Sequence, residues 1–158
     1  EVINIFKKEK ILTLNSLSFT PELSIQKGVH TRLKPTIHDN KDIKKAISVL
    51  NRLNNYSFSQ ATVVRNQKVL EIEGNSGTKV MLQKIKKKRK ISSGVLVKFP
   101  KKKQDLRIDL PTIGLQTLLQ CKKAGLKGIV LKSKQNVCLD KKLIIQSANK
   151  YKMFIAVK

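Results

Sequence analysis

From residue 93 to residue 157, short apolar runs alternate with stretches of helical period, and this alternation constrains the fold more than any other feature. "SGVLVKF" (93–99), "GIVLKS" (128–133), "VCLD" (137–140) and "MFIAV" (153–157) are short and rich in apolar, mostly branched residues, as strands are. Between them, "PTIGLQTLLQCKKAG" (111–125) and "KKLIIQSANKYK" (141–152) repeat apolar residues every three or four positions. Strands that alternate with helices predict an α/β fold with at least part of its sheet parallel. Lys134-Gln135-Asn136 is expected to form a turn between two of the strands.

The first half adds a different pattern. Ile43, Ala46, Val49, Leu50 and Leu53 predict a helix over 39–55, capped by Asp39 or Asn40, with the Asp42 carboxylate favouring its positive end. "ATVVRN" and "KVLEIEG", separated at Asn66-Gln67, predict a β-hairpin. A helix capped by Asn75 or Ser76 is expected over 76–88, with Val80, Met81 and Ile85 apolar. Upstream, Val2, Ile5 and Phe6 share a helical face, Ile11–Asn15 alternates like a strand, and 20–38 reads as a long loop. The expected architecture is a single α/β domain over 1–158, with a mixed sheet, a β-hairpin and three to four helices. Within it, 1–38 forms a loop-rich entry and 39–158 the core.

Charge limits the partners. The 158 residues carry 34 Lys and Arg against 10 Asp and Glu, a net +24 at pH 7. Such a balance suits chains that meet nucleic acid or anionic lipid. Only five of the cations are arginine, however, whose planar fork is the better phosphate reader. The run "KIKKKRK" (84–90) and Lys101 to Lys103 lack interleaved aromatics that could stack bases, and no zinc-finger, RNP or helix-turn-helix signature occurs. A solvated helix end explains the run, and nucleic acid is the disfavoured partner. Cys121 and Cys138 fall in apolar patterns without metal-ligand spacing, as buried thiols do. No apolar run approaches the ~18 residues of a membrane span and no secretory leader is present, so the expected location is cytoplasmic.

Against this basic background, "QDLRIDLPTIG" (104–114) concentrates two of the ten carboxylates, Asp105 and Asp109, with Arg107 between them. On an extended strand the two would stand about 13 Å apart, whereas a turn leading into a helix brings both toward one face. The segment follows a predicted strand and precedes a predicted helix, where α/β folds keep their sites and helix amides receive phosphates. Arg107 and Lys98 supply cations for phosphate oxygens, and a carboxylate can hold Mg²⁺ or orient a water. This composition suits hydrolysis of a phosphate ester or diphosphate.

The stretch "GVLVKFPKKKQDLRIDLPTIG" closely resembles the signature of the LpxI-type UDP-2,3-diacylglucosamine pyrophosphatases, with Gln104, Asp105, Arg107, Asp109, Pro111, Thr112 and Gly114 all in place. "ATVVRNQKVLEIEGNSGTKVM", "TPELSIQKGVHTRLKPTIHDNKDI" and the stretch from "AGLKGIVL" to "MFIAV" are similar to the family's hairpin region, the approach to its long helix and its closing segment. The resemblance implies hydrolysis of UDP-2,3-diacylglucosamine to UMP and 2,3-diacylglucosamine 1-phosphate, a step of lipid A synthesis, with Mg²⁺ as cofactor. It further implies Asp105 and Asp109 as catalytic and metal residues, and Gln60, Thr78, Lys98, Gln104, Arg107, Thr112 and Gly114 as substrate-binding residues. The implied partners are the nucleotide-linked diacyl sugar, the inner-membrane surface at which the protein would sit peripherally, and either a second copy or an amino-terminal half outside this chain.

Departures from the pattern give a second reading. Ser57-Phe58-Ser59-Gln60 stands for the family's Asp-x-Gly-Gln, Ser76-Gly77-Thr78-Lys79 for its Glu-Gly-Thr-Asp, and Lys102-Lys103 for a Pro-Gly pair. An ammonium in place of a carboxylate repels Mg²⁺. The alternative is therefore a half-enzyme that binds the nucleotide-lipid or a partner chain without turnover, and a further one is nonspecific polyanion binding by the basic runs.

Overall fold

The computed structural model describes residues 2–52, 59–85, 92–101, 104–107 and 109–158. The chain begins with a helix, α1 (Val2–Lys8), none of whose residues is buried, and passes through two 3₁₀ turns at Ser16–Ser18 and Pro21–Leu23. There follow β1 (Gly28–Val29), α2 (Ile37–Arg52), β2 (Ala61–Arg65), β3 (Lys68–Ile72), α3 (Gly77–Lys84) and β4 (Val95–Lys98). The second half contributes β5 (Thr112–Ile113), α4 (Leu115–Lys123), β6 (Gly128–Leu131), β7 (Val137–Cys138), α5 (Lys141–Lys150) and β8 (Phe154–Val157).

Six strands form one mixed sheet in the order β1-β8-β6-β4-β2-β3. Its centre is parallel, β4 with β6 and β6 with β8, while β1, β2 and β3 join antiparallel. The α/β expectation and the hairpin are realised, and five α-helices occur among the described residues. All four residues of β4, β6 and β8 are buried, because both faces of the sheet are covered. On one face Val95, Val97, Val130, Phe154 and Ala156 pack with Ile43 and Ala46 of α2. On the other, Leu96, Ile129, Leu131 and Ile155 meet Met81 and Leu82 of α3, Leu118 and Cys121 of α4, and Ile144 and Ala148 of α5.

Several local expectations are corrected. Ile11–Asn15 forms no strand: it pairs with no strand among the described residues, and Ile11, Leu12 and Leu14 are exposed. α2 starts at Ile37, two residues early, because Thr36 and Asp39 form a reciprocal cap. Thr36 donates its amide (2.8 Å) and hydroxyl (2.7 Å) to Asp39 Oδ2, and the Asp39 amide returns a 3.3 Å bond to Thr36 Oγ1. Asp42 does not serve the helix end. Its carboxylate accepts the amides of Asn66 (3.1 Å) and Gln67 (2.6 Å), holding the hairpin turn, in which both residues have positive φ.

The loop expected over 20–38 contains β1, whose Gly28 and Val29 pair with Val157 and Ala156. The helix expected from residue 111 begins only at Leu115, since Thr112 and Ile113 pair with Val137 and Cys138 in a second, two-stranded parallel sheet. The 53–55 end of the long helix, Ser57 and Phe58, the 86–90 lysine run and Lys102 and Lys103 lie outside the described residues.

Candidate functional site

β4 is the strand at which the sheet changes from parallel to antiparallel neighbours, and its last residue is Lys98. Ligands of open α/β sheets gather beyond the carboxyl ends of strands at such points. Lys98 stands opposite Ala61 at the start of β2, and the amide of Glu73, just past β3, bonds Ala61 O at 2.8 Å. The Phe99 amide donates to Gln60 O at 2.8 Å. Gln60, Glu73 and Lys98 are thus brought to one end of three adjacent strands.

Above them begins α3, which the chain enters through Gly77 at φ +77°, a value that favours glycine. This entry sets Thr78 in the first turn. Lys98 Nζ donates to Thr78 Oγ1 at 2.8 Å, and the Thr78 hydroxyl donates to Glu73 Oε1. The other carboxylate oxygen, Oε2, accepts the Gln60 amide at 3.1 Å. Lys98 and Glu73 are 8% and 6% exposed, so this is a buried polar network within a strongly basic chain. Burial pushes the Lys98 ammonium below its ordinary pKa, while the negative charges of Glu73 and then Asp109 act in the opposite sense.

An open depression of about 500 Å³ lies at this end, lined by Gln60, Glu73, Asn75, Lys101 and Asp109, with Gly74 and Gly77 in its wall. Its far rim is the segment after β4. Gln104 frames that segment: its Oε1 accepts the Lys101 amide (2.9 Å) and its Nε2 donates to Asp109 O (3.1 Å). Asn136, fully buried, donates to Lys98 O (3.1 Å) and Pro111 O (3.2 Å), fixing the segment where it joins β5. Burial raises the Cys138 thiol to about 11, and that of Cys121 still further, as inert core thiols require.

The sequence-derived residues divide into three groups. Gln60 and Asp109 line the depression, and Thr78 and Lys98 join it through the hydrogen bonds to Glu73, which also lines it. Asp105 and Asp109 are linked by one backbone turn, Asp109 N to Asp105 O at 3.1 Å, but their side chains have different surroundings. Asp105 forms a two-pronged ion pair with Arg107, Nε to Oδ1 at 2.9 Å and Nη2 to Oδ2 at 2.6 Å, and also accepts the Arg107 amide. Those hydrogen bonds draw the exposed Asp105 carboxyl down to about 2. Thr112 is exposed on β5 with its hydroxyl donating to Leu110 O, and Gly114 is the extended residue before α4.

Glu73 and Asn136 are the residues that sequence reasoning missed. A signal for Glu73 existed: Glu73-Gly74 is itself a Glu-Gly pair at the end of the hairpin, three residues before the Ser76-Gly77 taken as that motif's counterpart. An acid therefore remains at this end of the sheet. No group of three or more His, Cys, Asp or Glu residues placed to hold a metal occurs among the described residues.

Residues 26–156 match the LpxI C-terminal domain family. The UDP-2,3-diacylglucosamine pyrophosphatase LpxI of Caulobacter vibrioides is 30% identical over 161 residues, covering 98% of this chain and 58% of that protein. The chain thus spans less than two thirds of the relative it matches. From the match over the sheet, its helices and the segment carrying Asp105 and Asp109, we conclude that the chain belongs to the LpxI family and corresponds to its C-terminal domain.

Proposed function

We propose that residues 1–158 are a C-terminal catalytic domain that hydrolyses the diphosphate of UDP-2,3-diacylglucosamine to UMP and 2,3-diacylglucosamine 1-phosphate in lipid A synthesis. One observation carries the reading: Asp109 of the Gln-Asp-x-Arg-x-Asp segment lines a depression at the switch strand of the sheet, beside the buried Lys98, which is linked through Thr78 to Glu73 in the lining of the same depression. In this reading Lys98 binds phosphate oxygens through its ammonium. Gln104 and Asn136 hold the segment so that Asp109 keeps its place over the depression. Asp109 accepts a proton from the attacking water as its oxygen bonds to phosphorus and the bridging P–O bond breaks.

Mg²⁺ belongs to the same proposal. Such an ion needs only one or two protein carboxylates beside the substrate phosphates, and Asp109, in the lining of the depression, would be the carboxylate to hold it. Such an ion would neutralise phosphate charge. Asp105, engaged by Arg107, contributes by holding Arg107 and the turn rather than by facing the depression. The domain would work in the cytoplasm at the inner-membrane surface, where its net +24 favours anionic lipid. No helix among the described residues is long and apolar enough to cross a membrane.

The test is UMP release from UDP-2,3-diacylglucosamine with Mg²⁺, by the chain alone and with the amino-terminal half of an LpxI protein added in trans. Asp109→Ala is expected to lower the rate by about 10² or more. A second reading, a half-enzyme that binds without turnover, is favoured by the Asp105–Arg107 pair, which leaves one carboxylate of the signature occupied. Release of UMP in neither condition by a folded chain would select it.

A further inference from the structure

We infer that Glu73, which lines the depression, is a positioning residue for the diphosphate: acting through the Thr78 hydroxyl, it fixes the Lys98 ammonium beside the depression. The inference rests on the diphosphate reading of that site and adds a residue and a linkage which that reading does not need.

Lysine is a compact charge on a flexible stem, so a lysine that must hold an anion in one place requires an external constraint. Here the constraint is indirect. Lys98 Nζ and Glu73 Oε1 are 4.0 Å apart, too far for a direct hydrogen bond. The Thr78 hydroxyl fills the gap, and having a single proton it can serve both partners in only one sense. It gives the proton to Glu73 and turns a lone pair toward Lys98. The Gln60 amide holds the Glu73 carboxylate at Oε2, and the Ser59 hydroxyl holds its backbone carbonyl at 2.6 Å. The relay spends one of the three ammonium donors and leaves two for phosphate oxygens.

Burial also explains why an acid is required. An uncompensated ammonium at 8% exposure is costly, and of the carboxylates around Lys98 it is Glu73, ahead of Asp109, that most opposes loss of its charge. The three partners come from β4, from the residue after β3, and from the first turn of α3. Joining them sets the anion site by the packing of the fold, and such preorganisation lowers the ordering cost of binding.

The experiment measures binding of inorganic pyrophosphate by calorimetry in buffer containing Mg²⁺, on the wild type, Glu73→Gln, Lys98→Met and the double variant, each checked by thermal melting. Glu73→Gln and Lys98→Met are each expected to weaken binding by about tenfold or more, and the double variant to bind no more weakly than Lys98→Met alone. Thr78→Val should match Glu73→Gln, while Thr78→Ser, which restores the hydroxyl, should return to near wild-type affinity. Should Glu73→Gln not fold, the Thr78 pair carries the test. Wild-type affinity in Glu73→Gln or in Thr78→Val, or losses that multiply in the double variant, would overturn the inference while leaving the pyrophosphatase reading intact. Absence of pyrophosphate binding by the wild type would overturn it as well. The expected pattern in a chain that releases no UMP would uphold the relay and remove the pyrophosphatase reading instead.

Discussion

Asp105 shows how one side chain can satisfy a motif and still have a different task from its neighbour. Hydrogen bonds from Arg107 draw its carboxyl down to about 2, so near neutrality it is ionised and a weak proton acceptor. In Arg107→Met, carbon-detected NMR titration should show the Asp105 carboxyl returning toward the ordinary value of about 3.9. Asp39 supports a second prediction. Burial alone would raise its pKa, but hydrogen bonds from Lys127 and Thr36 outweigh burial and lower it. A depressed folded value stabilises the protein above the unfolded pKa and is lost as pH falls through the folded one. Asp39→Asn should therefore cost about 1 kcal/mol by urea unfolding at neutral pH, with the difference shrinking below about pH 4. The family resemblance pointed to Asp109, Lys98, Thr78 and Gln60 by motif position, and the fold brings these four to one end of the sheet. The resemblance did not reveal Glu73, whose role depends on three elements meeting, and it could not see that Asp105 and Arg107 would choose each other.

At the scale of elements, the hairpin turn carries a correctable strain. Asn66 and Gln67 both have positive φ (51° and 60°), the backbone of a tight primed turn, in which glycine is preferred at the second position. Gln67→Gly keeps the amide that Asp42 accepts and removes a side chain from a left-handed position. It should stabilise the protein by about 0.5–1 kcal/mol, seen as a melting temperature higher by about 1–4 °C. The longer elements were legible because their periods are regular: β2, β3, β4, β6, β8 and the four helices from α2 to α5 all lie where apolar spacing placed them. β1 and β5 were not, since two residues cannot display a period. Ile11–Asn15 failed for the opposite reason: it has the alternation but no neighbouring strand, and unpaired backbone at an exposed site does not form a strand. The start of α4 was misjudged because pairing of Thr112 and Ile113 with β7 outweighs helical tendency.

For the whole molecule, net charge is the term that local geometry leaves unbalanced. A charge of +24 on 158 residues repels itself, and only three ion pairs are formed among the described residues. Raising salt should shorten the screening length and raise the melting temperature, most steeply at low ionic strength, as differential scanning calorimetry can record. Alternation of strands and helices made a partly parallel sheet legible, but strand order was not, because which edges meet is decided by long-range pairing. That pairing has a consequence in time. β1 hydrogen-bonds only to β8, and the Ile155 amide reaches across 124 residues to the Thr31 hydroxyl. A ribosome emits β1 more than a hundred residues before its partner, so β1 is among the last strands of the sheet to find its place. Until Phe154–Val157 has emerged, the sheet ends at β6, and residues 28–31 wait beside an open edge that any other extended segment could occupy.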